Sequence, residues 1–202
     1  MDPIERMVRR TPELESCAES VRLAQNALLA CFRKGNKLLL CGNGGSCADC
    51  EHIAGELVKS FYGDRPLVTE LAEKLGPDLA GNLHGSLPAI PLASFTAFHT
   101  AFANDENPEY AFAQQVVGLG KSGDVLLAIS TSGNSANILH AAKTAHAMGL
   151  QVIGLTGESG GKLASLCDVA VCAPETDVAR IQEFHLPIYH ALCEMIEEAM
   201  FG

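Results

Sequence analysis

Apolar residues recur at helical spacing through residues 12–33, at Leu14, Cys17, Val21, Ala24, Leu28 and Phe32, and the pattern stops at Gly35. KLLLCG follows as a short apolar run, the mark of a buried strand. CGNGGSCADCEHIAGELV then turns on its glycines and continues as a helix with one apolar side. AIPLAS (89–94) predicts a second strand, which Pro91 places at an edge or a bulge. The next helix breaks around ANDENPEY and resumes through AFAQQVVGL. DVLLAIS (124–130) is a third strand, followed by the turn TSGNS and the helix ANILHAAKTAHAMG. QVIGLTG and DVAVCA complete five strands, and a long helix runs from about Asp177 to Met200. Apolar strands alternating with helices predict an α/β domain, a parallel sheet covered on both faces. A chain of 202 residues fits one such domain. Residues 61–88 are long for a strand connection and predict an insertion, with a short helix in LVTELAEKL.

Composition narrows the function. The formal net charge is −10, and the nearest basic run, RMVRR, is flanked by Glu5 and Glu13. Nucleic acid is therefore not an expected partner. No apolar segment is long enough to span a bilayer, and no secretory signal is visible. Of eight cysteines, Cys17, Cys31, Cys167, Cys172 and Cys193 sit in apolar patterns and read as buried thiols, so a reducing cytoplasm is expected.

Two strand-to-helix turns carry candidate chemistry, because ligands of parallel sheets sit at the strands' carboxyl ends. The first is Asn43-Gly44-Gly45-Ser46. Its glycines allow close backbone approach, but Cys47 stands where the dinucleotide fingerprint needs a third glycine. A nucleotide P-loop is also absent, since Gln115 occupies the glycine position that Gly120-Lys121-Ser122 would require. The second turn, Ser130-Thr131-Ser132-Gly133-Asn134-Ser135, crowds four hydroxyls ahead of a helix. One or two would serve as ordinary caps. Four, with the helix amides, make a neutral cradle suited to a phosphomonoester.

His52 and Glu56 share a helix face, an arrangement more often a solvated surface than a site. RIQEFHLPIYHALCEMIE offers Gln182, Glu183, His185 and His190, with Pro187 expected to distort its helix. His84, His99, His140 and His146 read as surface or packing residues.

Together, CGNGGSCADCEHIAGELVKSF, the pair Asn104-Asp105, GDVLLAISTSGNSANI and RIQEFHLPIYHALCEMIE resemble the sugar isomerase (SIS) family, and within it the phosphoheptose isomerases. The resemblance covers most of the chain in the family's order. It implies a flavodoxin-like, doubly wound five-stranded parallel sheet with long N- and C-terminal helices. It implies a homotetramer that interconverts sedoheptulose 7-phosphate and a mannoheptose 7-phosphate through an enediolate. By matching position, it assigns His52, Glu56, Gln182 and His190 to zinc, and Glu56 and His190 to base and acid. Substrate contacts fall on Asn43, Gly44, Gly45, Asn104, Asp105, Ser130, Thr131, Ser132 and Ser135, together with His52, Glu56 and Gln182. The region 61–88 looks longer than in the best-known members, and Cys47 and Cys50 stand where alanines are common. Gln182 and His190 lie ~12 Å apart along an undistorted helix. One metal reaches both only if the helix distorts or the ligands come from two subunits. Relatives of this fold also act as regulators that bind sugar phosphates or a replication-initiator protein. This chain keeps Glu56 and His190 together and has no DNA-binding domain within its 202 residues, so an enzyme is expected.

Overall fold

The five apolar runs form a single all-parallel sheet in the computed structural model, which describes residues 1–202. Its strands are β1 (Leu38–Gly42), β2 (Ala89–Pro91), β3 (Val125–Ile129), β4 (Gln151–Thr156) and β5 (Val169–Cys172), in the spatial order β2-β1-β3-β4-β5. β2 is the edge strand that Pro91 predicts, and the chain turns into a 3-10 turn directly after it. The helices are α1 (Pro3–Arg10), α2 (Ala18–Arg33), α3 (Gly45–Val58), α4 (Thr69–Ala80), α5 (Thr96–Asp105), α6 (Ala111–Leu119), α7 (Ala136–Ala147), α8 (Gly161–Ala164) and α9 (Val178–Phe201).

Every residue of β1 and β3 is buried, and the strand period of two divides them between two cores. Leu38, Leu40, Val125, Leu127 and Ile129 pack with α1, α2, α3 and α9. Leu39, Cys41, Leu126 and Ala128 pack with α6, α7 and α8. Asp124, fully buried, ties the base of β1 to β3: its carboxylate accepts from the Lys37 amide at 3.0 Å and from the Lys121 amide at 2.9 Å. All eight cysteines are unpaired. Cys17, Cys31 and Cys193 are buried as expected, whereas Cys167 and Cys172 are half-buried. No helix is long and apolar enough to cross a membrane.

Four local expectations need correction. The helical pattern over 12–33 begins as a 3-10 turn (Pro12–Cys17), preceded by the separate helix α1, which Asp2 caps through the Ile4 amide. The four-residue α8 was not foreseen either. In the insertion, α4 extends past LVTELAEKL to Ala80 but is broken at Gly76, whose φ of 78° stops the first piece before Pro77 opens the second. It buries no residue. Finally, α9 runs unbroken through Pro187. The carbonyl that loses its donor is that of Glu183, an exposed residue.

His185 is the one histidine that is fully buried. Its Nε2 lies 3.1 Å from the Thr156 carbonyl, and Nδ1 has no partner. Burial pushes its pKa from 6.5 down to about 4. On acidification the unfolded chain takes the proton first, so this group's contribution is lost as pH falls from its unfolded toward its folded value. Stability should drop by on the order of 1 kcal/mol per pH unit through that window. Urea denaturation between pH 7 and pH 5 should show the decline, and His185→Gln should remove that share of the slope.

Candidate active site

In the order β2-β1-β3-β4-β5 the chain reverses direction between β1 and β3, and this is the crevice where parallel sheets bind ligands. The β1–α3 and β3–α7 turns meet there. Asn43 and Asn137 bridge them by reciprocal amide hydrogen bonds of 3.0 and 2.9 Å. Gly44 has φ 55°, which lets the chain turn sharply into α3. Gly45 is needed for space: a Cβ there would lie 2.4 Å from Nε2 of Gln182, which reaches over from α9. In the second turn, the Ser130 and Ser135 hydroxyls are 3.2 Å apart. The amides of Thr131, Ser132 and Ser135 donate to nothing within the protein. The cleft of about 290 Å³ between the turns is lined by Asn43, Gly44, Gly45, Ser46, Ser130, Thr131, Ser135 and Gln182 with Ile129 and Val178, and holds no Lys or Arg. Free amides, hydroxyls and the start of α7 make it a neutral anion cradle.

α3 and α9 run side by side from that cleft, since Gly45 faces Gln182 at one level and His52 faces Tyr189 and His190 further along. Here His52 Nε2 lies 3.2 Å from Glu56 Oε1 and 3.5 Å from His190 Nε2. The other Glu56 oxygen accepts from Lys59 Nζ at 2.7 Å. The Tyr189 hydroxyl is 3.0 Å from His52 Nδ1, and Phe61 packs on the His190 ring at 5.3 Å between centroids. Burial, and next the proximity of His52, lower the His190 pKa against the pull of Glu56. Two imidazoles and a carboxylate are a donor set that suits zinc. The two separations match the ~3.4 Å edges of a tetrahedron with bonds of ~2.1 Å. The side chains do not close into a finished cage, and no group of three His, Cys, Asp or Glu surrounds a common metal position. The donor types fit zinc and two of their separations suit it, but the three side chains as placed do not form a metal site.

An ion pair beneath the site aligns the two helices. Arg65 is fully buried and donates from Nε to Glu197 Oε1 at 2.6 Å. Its Nη1 and Nη2 cap the end of α3 by donating to the Leu57 and Glu56 carbonyls at 2.7 and 2.8 Å. Glu197, on α9, also accepts from the amides of Phe61, Tyr62 and Gly63, each at 2.8 Å. Burial resists the charge on Glu197, but those amides and Arg65 overcome it and hold its pKa below the usual range.

The expected residues thus fall into two groups and some outliers. Asn43, Gly44, Gly45, Ser130, Thr131, Ser135 and Gln182 form the cradle; His52, Glu56 and His190 form the second cluster. Gln182 makes no hydrogen bond to that cluster and lies against Gly45 instead. Ser132 is exposed, and its hydroxyl accepts from the Asn134 amide. Asn104 and Asp105 bond to each other at 2.7 Å on the exposed end of α5 and do not line the cleft. Sequence reasoning missed Asn137, Arg65, Glu197 and Tyr189. All but Arg65 lie inside the segments that carry the resemblance, but nothing in their spacing marked them.

The SIS domain model matches residues 4–85 and 78–157. The chain is 42% identical over 170 residues to the phosphoheptose isomerase of Aneurinibacillus thermoaerophilus, covering 84% of this chain and 76% of that one. It is 41% identical over 193 residues to the phosphoheptose isomerase of a Roseiflexus species, covering 96% and 87%. The structure of phosphoheptose isomerase from Neisseria gonorrhoeae superposes with a TM-score of 0.78 at 37% identity, over 96% of this chain and 94% of that one.

Two substitutions test the geometry. Gly45→Ala should fold, because the amide it displaces is the end of a flexible side chain, but it drives Gln182 into the cleft. Calorimetry should show sugar-phosphate affinity reduced roughly tenfold or more, about 1.4 kcal/mol; unchanged affinity would remove the cleft from the binding site. Glu197→Ala strands the buried Arg65 charge and should cost about 3–5 kcal/mol in urea denaturation. A loss below 1 kcal/mol would show that the pair is not a clamp.

Proposed function

The chain belongs to the SIS-domain family, among the phosphoheptose isomerases, and is a sugar-phosphate isomerase; from this premise we propose that it interconverts sedoheptulose 7-phosphate and D-glycero-D-manno-heptose 7-phosphate. The observation that carries the reading is one helix with two chemistries. The head of α3 closes a neutral anion cradle, and His52 and Glu56 stand on the same helix seven and eleven residues after Gly45. The first of these is ~10 Å from the cradle along the axis, a span suited to an extended polyol phosphate.

In this reading the phosphate sits among Ser130, Thr131, Ser135 and the first amides of α7. Asn43 and Gln182 hold hydroxyls along the sugar. The carbonyl end then reaches Glu56, whose carboxylate takes the proton from the carbon beside the carbonyl and returns it to the neighbouring carbon. His190 supplies a proton to the carbonyl oxygen as the enediol forms and takes one back from the neighbouring hydroxyl as the new carbonyl forms. The two Glu56 oxygens face different partners, His52 and Lys59, which together orient the carboxylate. Zinc held by His52, Glu56 and His190 would polarise the carbonyl and offset the charge growing on its oxygen. Assembly as a homotetramer belongs to the same reading, supported by the exposure of Val178 and Leu186 on α9.

Solvent deuterium exchange into sedoheptulose 7-phosphate, followed by NMR, tests the proposal. Wild type supplied with zinc should exchange the proton, and Glu56→Gln should do so ~10²–10⁴-fold more slowly. Absence of exchange in wild type would leave a regulator that only binds sugar phosphates. Equal rates in both would place the base elsewhere.

A further inference from the structure

The Ser130–Ser135 turn keeps the amides of Thr131 and Ser132 free, and the cause lies on its far side, where β4 passes into α8. The Thr131 carbonyl accepts from the Gly157 amide at 2.9 Å, and the Gly133 carbonyl accepts from the Leu163 amide at 2.9 Å. Between them, the Ser132 carbonyl accepts from Nδ2 of Asn134 at 2.8 Å. Oδ1 of Asn134 in turn accepts from the Lys162 amide at 3.2 Å. Three successive carbonyls of the turn are thus tied to the segment 157–163, two directly and one through Asn134.

The two segments meet too closely for side chains. Gly133 has φ 63° and Gly161 has φ 54°. A Cβ on Gly133 would overlap the Gly160 carbonyl, and a Cβ on Gly161 would overlap the carbonyls of Ser132 and Gly133.

A peptide unit is planar and trans, so a captured carbonyl sends the next residue's amide the opposite way. Holding the Thr131 carbonyl on Gly157 therefore turns the Ser132 amide away from the segment 157–163. The Ser130 carbonyl accepts from the Gly133 amide at 3.0 Å, which fixes the peptide that carries the Thr131 amide. The same bonds occupy carbonyl lone pairs that would repel an anion in the cleft.

We propose that the segment 157–163 is a brace for the cradle, and that Asn134 and Gly161 are positioning residues that keep the Thr131 and Ser132 amides turned toward a bound phosphate. The proposal rests on the reading of the cleft as a phosphate cradle. Neither residue needs to touch the ligand: Asn134 acts through the Ser132 carbonyl, and Gly161 by leaving room for it.

The test titrates the full chain with inorganic phosphate, reading affinity by calorimetry and amide proton shifts by NMR. In wild type, phosphate should move the amides of Thr131, Ser132 and Ser135. Asn134→Ala cuts the tie at an exposed side chain and should fold. It should lower affinity roughly 2–10-fold, the worth of one hydrogen bond. Gly161→Ala, which pushes on the Ser132 carbonyl, should lower it roughly tenfold or more. In both variants the response of Thr131 and Ser132 should shrink, while Ser135, held by the start of α7, keeps its own. A general loss of stability would not select two amides out of three. Wild-type affinity with wild-type shifts in Asn134→Ala would overturn the proposal whether or not Gly161→Ala folds, as would an equal loss at all three amides. If wild type itself shows no response at any of them, the cradle reading fails and the brace falls with it.

Discussion

The site depends on a buried ion pair that makes no contact with the cradle. Arg65 and Glu197 join the end of α3, the start of the 61–88 insertion and the last turns of α9 in one hydrogen-bonded knot. Glu56 and His190 sit on different helices, and their separation is set where those helices are fastened. A charge buried this fully is tolerated only when it is paired and hydrogen-bonded. Arg65 meets that condition by donating to three acceptors, and Glu197 by receiving from four donors. Two of the Arg65 acceptors are carbonyls at the end of α3, which a helix terminus leaves without partners. The clamp therefore satisfies the helix end and orients the segment that carries Glu56.

Above it, the sheet divides the labour. The reversal of strand order opens a crevice between β1 and β3, and the two turns there supply amides and hydroxyls. A chain with net charge −10 attracts few anions from solution, so the local field must come from fixed dipoles. The beginnings of α3 and α7 provide them without a lysine or arginine. Because α3 starts in the cradle and continues past His52 to Glu56, the distance between the cradle and that pair is built into one rigid element.

The departures from expectation share a cause. Periodicity registers which residues are apolar, and it does not register what they pack against. The LVTELAEKL pattern is helical, as expected, but its apolar side faces solvent and α4 has no buried residue. Pro187 breaks the local rule for helices, yet α9 continues, because its packing against α1, α2 and α3 outweighs one lost hydrogen bond at an exposed carbonyl.

By itself the sequence determined the five strands, the parallel sheet and both ligand-binding turns, since these follow from local apolar runs, glycines and clustered hydroxyls. It also marked His52, Glu56 and His190 as chemically capable. The tertiary structure decided which of them meet. It brought His190 to His52 across 138 positions of chain, left Gln182 at the cradle, and set Asn104 and Asp105 outside the cleft. It alone revealed the contacts of Arg65, Glu197 and Tyr189. A buried pair is defined by contacts between distant segments, and no spacing within one segment encodes a contact with another.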